Sequence, residues 1–272
     1  MKTSDFLSIL DNPNLISGIY NYCDRWCERC PMTARCSVFL TTTPLNPEDF
    51  TTEEAYFEAA MDDVKNSFTI SMELLQQMAD EKGIDLDEDE DETEDETEDS
   101  EDLPGIRSIE REDHTKSPLA IHSMEYLQLA RAWLDTCSAS LKDLEKNLQD
   151  TALMDLPDRN PAQEAAALRD ALEVIPYYMT QIYIKLMRAQ SNRRVDDAWF
   201  EENNYPKDSD GSAKVALIGI DNSIRAWEVM LQYLPSQEGD ILTILSLLEN
   251  LRRQVEITFP DARAFRRPGF DD

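Results

Sequence analysis

The chain has 272 residues, with 56 Asp and Glu against 26 Lys and Arg, for a formal net charge of −30. That balance argues against direct nucleic-acid binding, because a phosphate backbone needs a basic face, and against docking on an anionic membrane. Seven glycines, ten methionines and long stretches of Ala, Leu, Glu, Gln and Met point to helix nearly throughout, in one large core or two smaller ones.

The N-terminal MKTSDFLSILDNPN has no basic region followed by an apolar one, and no stretch approaches a membrane span. The expected location is therefore a reducing cytoplasm, where structural disulfides are rare.

Residues 1–48 hold four of the five cysteines, within YCDRWCERCPMTARCSVF at 22–39. Cys23, Cys27, Cys30 and Cys36 form C-x3-C-x2-C-x5-C. If Leu15 to Cys30 is helical, Ile16, Ile19, Cys23, Cys27 and Cys30 share one face. Pro31 disfavours helix at Cys30, so the chain is expected to turn there and to bring Cys36 back through 32–40.

Four sulfurs within fourteen residues make a plausible coordination shell. Structural zinc sites pair two knuckles across a loop, whereas the crowding here and the proline after a ligand suit a [4Fe-4S] cluster, which is wider than one ion. Zn2+, or unligated cysteines on an apolar face, are the alternatives.

Cys23-x3-Cys27-x2-Cys30 has the spacing of the radical-SAM cluster motif, but that family carries it on a β/α barrel and this chain shows no such alternation. Cys27-Glu-Arg-Cys30-Pro31-Met-Thr-Ala-Arg-Cys36 resembles the C-x2-C-P-x4-C iron-sulfur staple of RecB-type nucleases. The resemblance covers ten residues and implies cluster ligation by Cys27, Cys30 and Cys36. Met32 stands where that family usually has an aromatic, the fourth cysteine is adjacent rather than distant, and no strand-borne Asp and Glu-x-Lys core is found. The staple is therefore carried over without the nuclease.

Thr41 to Glu48, with Pro44 and Pro47, reads as a break. Residues 49–82 read as one long helix packing on a bundle, opened by a capping box at Thr51 to Glu54 and ended by Gly83. Phe57, Met61, Val64, Phe68, Met72, Leu75 and Met78 recur along it as a core stripe. Residues 83–117 read as a disordered acidic linker, with fourteen carboxylates in 85–102.

Residues 118–258 read as four helices: Leu119 to Leu148, one from Pro161 through Leu186 with Pro176 inside it, Ser212 to Leu234, and Asp240 to Ile257. Amphipathic faces and short connections make the expected fold all-α, an antiparallel four- to five-helix bundle. On these faces Asp221 is expected to pair with Lys185 or Arg188, or to line a pocket with Tyr177 and Tyr178. Cys137 reads as a small buried hydrophobe. The tail 259–272, with Arg263, Arg266 and Arg267, is expected to dock on the acidic body or to engage a partner.

Such a bundle invites a ferritin-like di-metal carboxylate site, for which Glu58, Asp62, Glu125 and Glu173 are the candidates. The Glu-x-x-His signature is absent: His114 is in the linker, and His122-x-x-Glu125 runs in reverse order. No phosphate-binding glycine loop and no nucleophile elbow occurs. The expectation is a metal-binding protein using electron transfer or redox sensing, or else a zinc-pinned module with a protein partner; no catalytic residue is assigned.

Overall fold

A computed structural model describes residues 3–42, 45, 47–84, 114–151, 160–203 and 207–271. The expected acidic linker lies almost wholly outside them. Among the described residues the fold is all-α, with helices and no strands. No helix among the described residues is long and apolar enough to cross a membrane.

The α-helices are α1 (Thr3–Leu10), α2 (Ser37–Thr41), α3 (Glu53–Lys82), α4 (Pro118–Thr151), α5 (Pro161–Asn203), α6 (Asp208–Tyr233) and α7 (Glu238–Thr258). The chain divides into two units, Met1–Tyr20 with Arg25–Glu110, and Asn21–Asp24 with Arg111–Asp272.

In the second unit α4 packs on α5 and α7, and α6 packs on α5 and α7, so each of the four helices has two neighbours. α6 lies deepest. Its Ala213, Leu217, Ile220, Trp227 and Met230 are fully buried, and a helix that is apolar nearly all round must be enclosed. Leu168, Ile175, Ile182 and Leu186 of α5 and Ile241, Leu248, Leu251 and Val255 of α7 complete the core. α5 runs unbroken through Pro176. Within the core Trp133 meets Trp227 edge to face at a centroid distance of 4.9 Å. The Trp227 indole donates to the Tyr126 hydroxyl at 3.3 Å. Burial pushes the Tyr126 phenol up to about 12.

The tail docks on the bundle, with Phe259 and Ala262 buried. Asp221 was expected to meet Lys185 or Arg188, yet it pairs with Arg263 of the tail at 2.6 Å and with Arg252 of α7 at 3.4 Å. Arg188 pairs with Asp208 at 2.6 Å. The reason is the face: Asp221 is turned toward α7 and the tail, and Arg188 toward the start of α6.

In the first unit α3 is capped by Thr52, whose hydroxyl accepts the Ala55 amide at 3.1 Å. This is one residue later than the expected box, so no glutamate reciprocates. Gly83, at φ 66°, closes the helix in the left-handed conformation. The expected core stripe is corrected: Phe57, Met61, Val64, Phe68, Met72, Leu75 and Met78 are exposed, whereas Ile70 and Ala79 are buried. Sequence periodicity marks a face that needs cover, and it does not say which molecule covers it.

Candidate metal centre

The expected helix over Leu15 to Cys30 does not form. Ile19–Asn21 and Cys27–Arg29 are short 3-10 turns, and Thr33–Arg35 is a third. Gly18 at φ 71° and Arg25 at φ 67° both take the left-handed conformation, which no α-helix of L-residues can continue through. The common helical face for Cys23, Cys27 and Cys30 is lost with it.

Turns position the thiols instead. Cys27 opens the second turn, and Cys30 caps it in an extended conformation, at φ −82° and ψ 123°, as the residue before a proline must. Pro31 has no N–H, so Met32 supplies the next amide. That amide donates to the Cys30 sulfur at 3.4 Å. Cys36 caps the third turn, also extended, and leads into α2. This stretch is tied to the residues before it by the Ile16 amide donating to the Arg35 carbonyl at 3.0 Å and by Arg35 Nε donating to the Asn14 carbonyl at 3.0 Å. Arg29 lies over the Trp26 ring at 4.0 Å.

Cys23 belongs to the other unit, in the segment Asn21–Asp24 held on the bundle. The Tyr178 hydroxyl donates to the Asp24 carboxylate at 2.6 Å, and the Tyr177 hydroxyl donates to the Asp24 carbonyl at 2.8 Å. Tyr22 meets Phe265 edge on at 4.7 Å and lies over Gly211. A Cβ on Gly211 would stand 2.3 Å from the Tyr22 ring, so only glycine admits this approach. Tyr177 and Tyr178 thus both donate to Asp24, while Asp221, the residue that the alternative reading set beside them in a pocket, pairs with Arg263 and Arg252.

Cys23, Cys27, Cys30 and Cys36 are half-buried, Cys137 is buried, and all five are thiols rather than disulfides. Burial first, and Asp240 second, pushes the Cys137 thiol up. Among the described residues no three Cys, His, Asp or Glu side chains gather closely enough to hold a metal ion. The donor chemistry of the segment fits thiolate-binding metals, but the thiols do not form a ready single-ion cage. The carboxylate reading finds no support either, since Glu58, Asp62, Glu125 and Glu173 are all exposed. His122 meets Gln254 at 2.9 Å.

The signals missed in the sequence were Asp24, Tyr22 and Gly211, whose partners lie more than 40 residues away. No family model, no curated protein and no solved structure matches this chain.

Proposed function

We propose that the C-x3-C-x2-C-x5-C segment binds a [4Fe-4S] cluster through the thiolates of Cys27, Cys30 and Cys36, with Cys23 as the fourth ligand of the pattern, and that the protein transfers single electrons or senses redox state in a reducing compartment such as the cytoplasm. The observation that carries this reading is the Cys30 turn, where Pro31 extends the ligand residue and the Met32 amide donates to its sulfur. Amide donors to sulfur stabilise a ligating thiolate and set a cluster's potential. A cluster is wider than a single ion and accepts thiolates from successive turns, so the C-x2-C-P-x4-C spacing suits it better than it suits zinc, whose structural sites pair two knuckles across a loop. The segment also carries Arg25, Arg29 and Arg35 against Asp24 and Glu28 in a chain of net charge −30. Cations there offset the negative charge of four thiolates and their cluster.

Zinc is the second reading, in which the site is structural and its binding orders the turns. Protein purified without oxygen decides between them by optical spectrum with iron, zinc and acid-labile sulfide analysis. A brown protein with iron and sulfide in comparable amounts, lost on Cys30→Ser, is the expected result. Colourless protein with one zinc per chain replaces the cluster by the second reading. Protein with neither metal overturns both.

A further inference from the structure

Phe57, Met61, Val64, Phe68, Leu75 and Met78 of α3 are each 41% to 68% exposed. With Met72 they present roughly 800 Å² of apolar side chain, more than the largest patch of a typical monomer and about one partner's share of a stable interface. Their spacing is a strict heptad. Met61, Phe68 and Leu75 form one line of positions seven apart, and Phe57, Val64 and Met78 fall on the other, with Ser71 in the remaining place. A 3.5-residue repeat is the seam of a two-stranded coil, whereas a helix lying on a globular core follows the wider 3.6-residue face.

We propose that α3 pairs with α3 of a second copy as an antiparallel coiled coil, in the register that sets Phe68 opposite the partner's Ser71. In that register the largest seam residue faces the smallest, twice by symmetry. Met61 meets the partner's Met78, and Val64 meets the partner's Leu75. Large against small across the seam is the way facing layers fill without voids or overpacking. The flanking positions place Glu58 by the partner's Ala79, Lys65 by the partner's Met72, and Ala60 by the partner's Glu81, so between Phe57 and Lys82 no like charges meet beside the seam.

Charge fixes the direction. The fourteen carboxylates of 85–102 begin two residues after Gly83. A parallel pair would set two such runs side by side, stack Lys82 on the partner's Lys82 and leave Ser71 facing Ser71. An antiparallel pair puts the acidic runs at opposite ends of a helix about 45 Å long, several screening lengths apart.

Sedimentation equilibrium of the full chain tests the pairing. A dimer is expected at micromolar concentration, with Phe68→Glu weakening association by at least about a hundredfold, because it buries an unpaired charge at the centre of the seam. Circular dichroism should show unchanged helix content in that variant, since Phe68 is exposed in the monomer. Orientation is read by oxidative cross-linking of Met61→Cys and Met78→Cys chains, with the wild-type chain as baseline. The mixture should cross-link more than either variant alone. A wild-type monomer at 100-fold higher concentration than the expected range, a dimer indifferent to Phe68→Glu, or variants that cross-link best with themselves would each overturn the proposal.

Discussion

The Tyr178 hydroxyl sits between two partners, donating to Asp24 at 2.6 Å and accepting from the Asn222 side-chain amide at 3.2 Å. One oxygen thus joins the Cys23 segment, α5 and α6. Tyr178→Phe keeps the ring, which packs against Gly219, and removes the bridge. Loss of a hydrogen bond to a carboxylate in a part-buried site costs roughly 1 to 3 kcal/mol. Denaturant unfolding should show that loss, and the Cys23 thiol should become more reactive. Tyr177→Phe, which loses a bond to a neutral carbonyl, should cost about 1 kcal/mol. Equal, negligible effects of the two variants would show that the hydroxyls do not hold the segment.

Gly211→Ala sets two effects of opposite sign against each other. Inside α6, alanine in place of glycine gains up to about 1 kcal/mol of helix propensity. Its Cβ, however, would stand 2.3 Å from Tyr22 and 2.8 Å from Phe265. Overpacking of that kind costs typically about 1 to 3 kcal/mol, so net destabilisation is expected. In a Tyr22→Ala background the same substitution should cost less, because the nearer ring is gone and only the edge of Phe265, at 2.8 Å, still has to shift. Stabilisation of the wild-type background would show that Tyr22 is not held over Gly211.

Much of this fold was legible because its signals are local. Pro161 begins α5, Gly83 ends α3, and the residue before Pro31 is extended, each for a backbone reason that a dipeptide already contains. The thiol spacing was equally plain, but the backbone that carries it was not. Arg25 adopts a left-handed conformation that favours glycine or asparagine, and nothing in Asp24-Arg25-Trp26 announces it. Asp24 finds Tyr178 from 154 positions away, and Asp221 chooses Arg263 over Arg188 by which face of α6 it occupies. α3 shows the limit of periodicity most clearly, since an apolar stripe reads the same whether its cover is its own core or another helix.

Cys137 should separate from the other thiols kinetically. It is 4% exposed, it lines a cavity with Trp133, Thr136 and Ile244 on the α4 and α7 faces, and burial together with Asp240 disfavours its thiolate. Only the thiolate attacks a disulfide reagent. In reduced, chelator-treated protein at pH 8, four thiols per chain should react quickly. The fifth should wait for local opening, at least about a hundredfold more slowly. Cys137→Ala should abolish the slow phase alone; a slow phase that survives this substitution would assign the protected thiol to the metal segment.

The tail supplies a pH dependence. Arg267 grips Asp271 through its side chain at 2.9 and 3.0 Å and through its backbone amide at 3.0 Å, and Lys214 approaches the same carboxylate at 2.9 Å. The Arg267 hydrogen bonds, ahead of the opposing effect of burial, hold the Asp271 carboxyl well below the usual carboxylate range. Lys214 also donates to the Phe265 carbonyl, so the same lysine fastens both ends of the turn that presents Phe265 to Tyr22. Because the folded value lies below the unfolded one of about 3.9, the folded state binds fewer protons, and the stability from Asp271 is present above that pH. It is lost as pH falls below about 4 toward the depressed folded value. Unfolding free energies of the wild-type chain and of Asp271→Asn should therefore differ by a constant amount above about pH 5 and converge toward pH 2. A difference that stays the same across that range would mean that the carboxylate's charge is not what holds the tail, leaving the burial of Phe259 and Ala262 and the Arg263–Asp221 pair to anchor it.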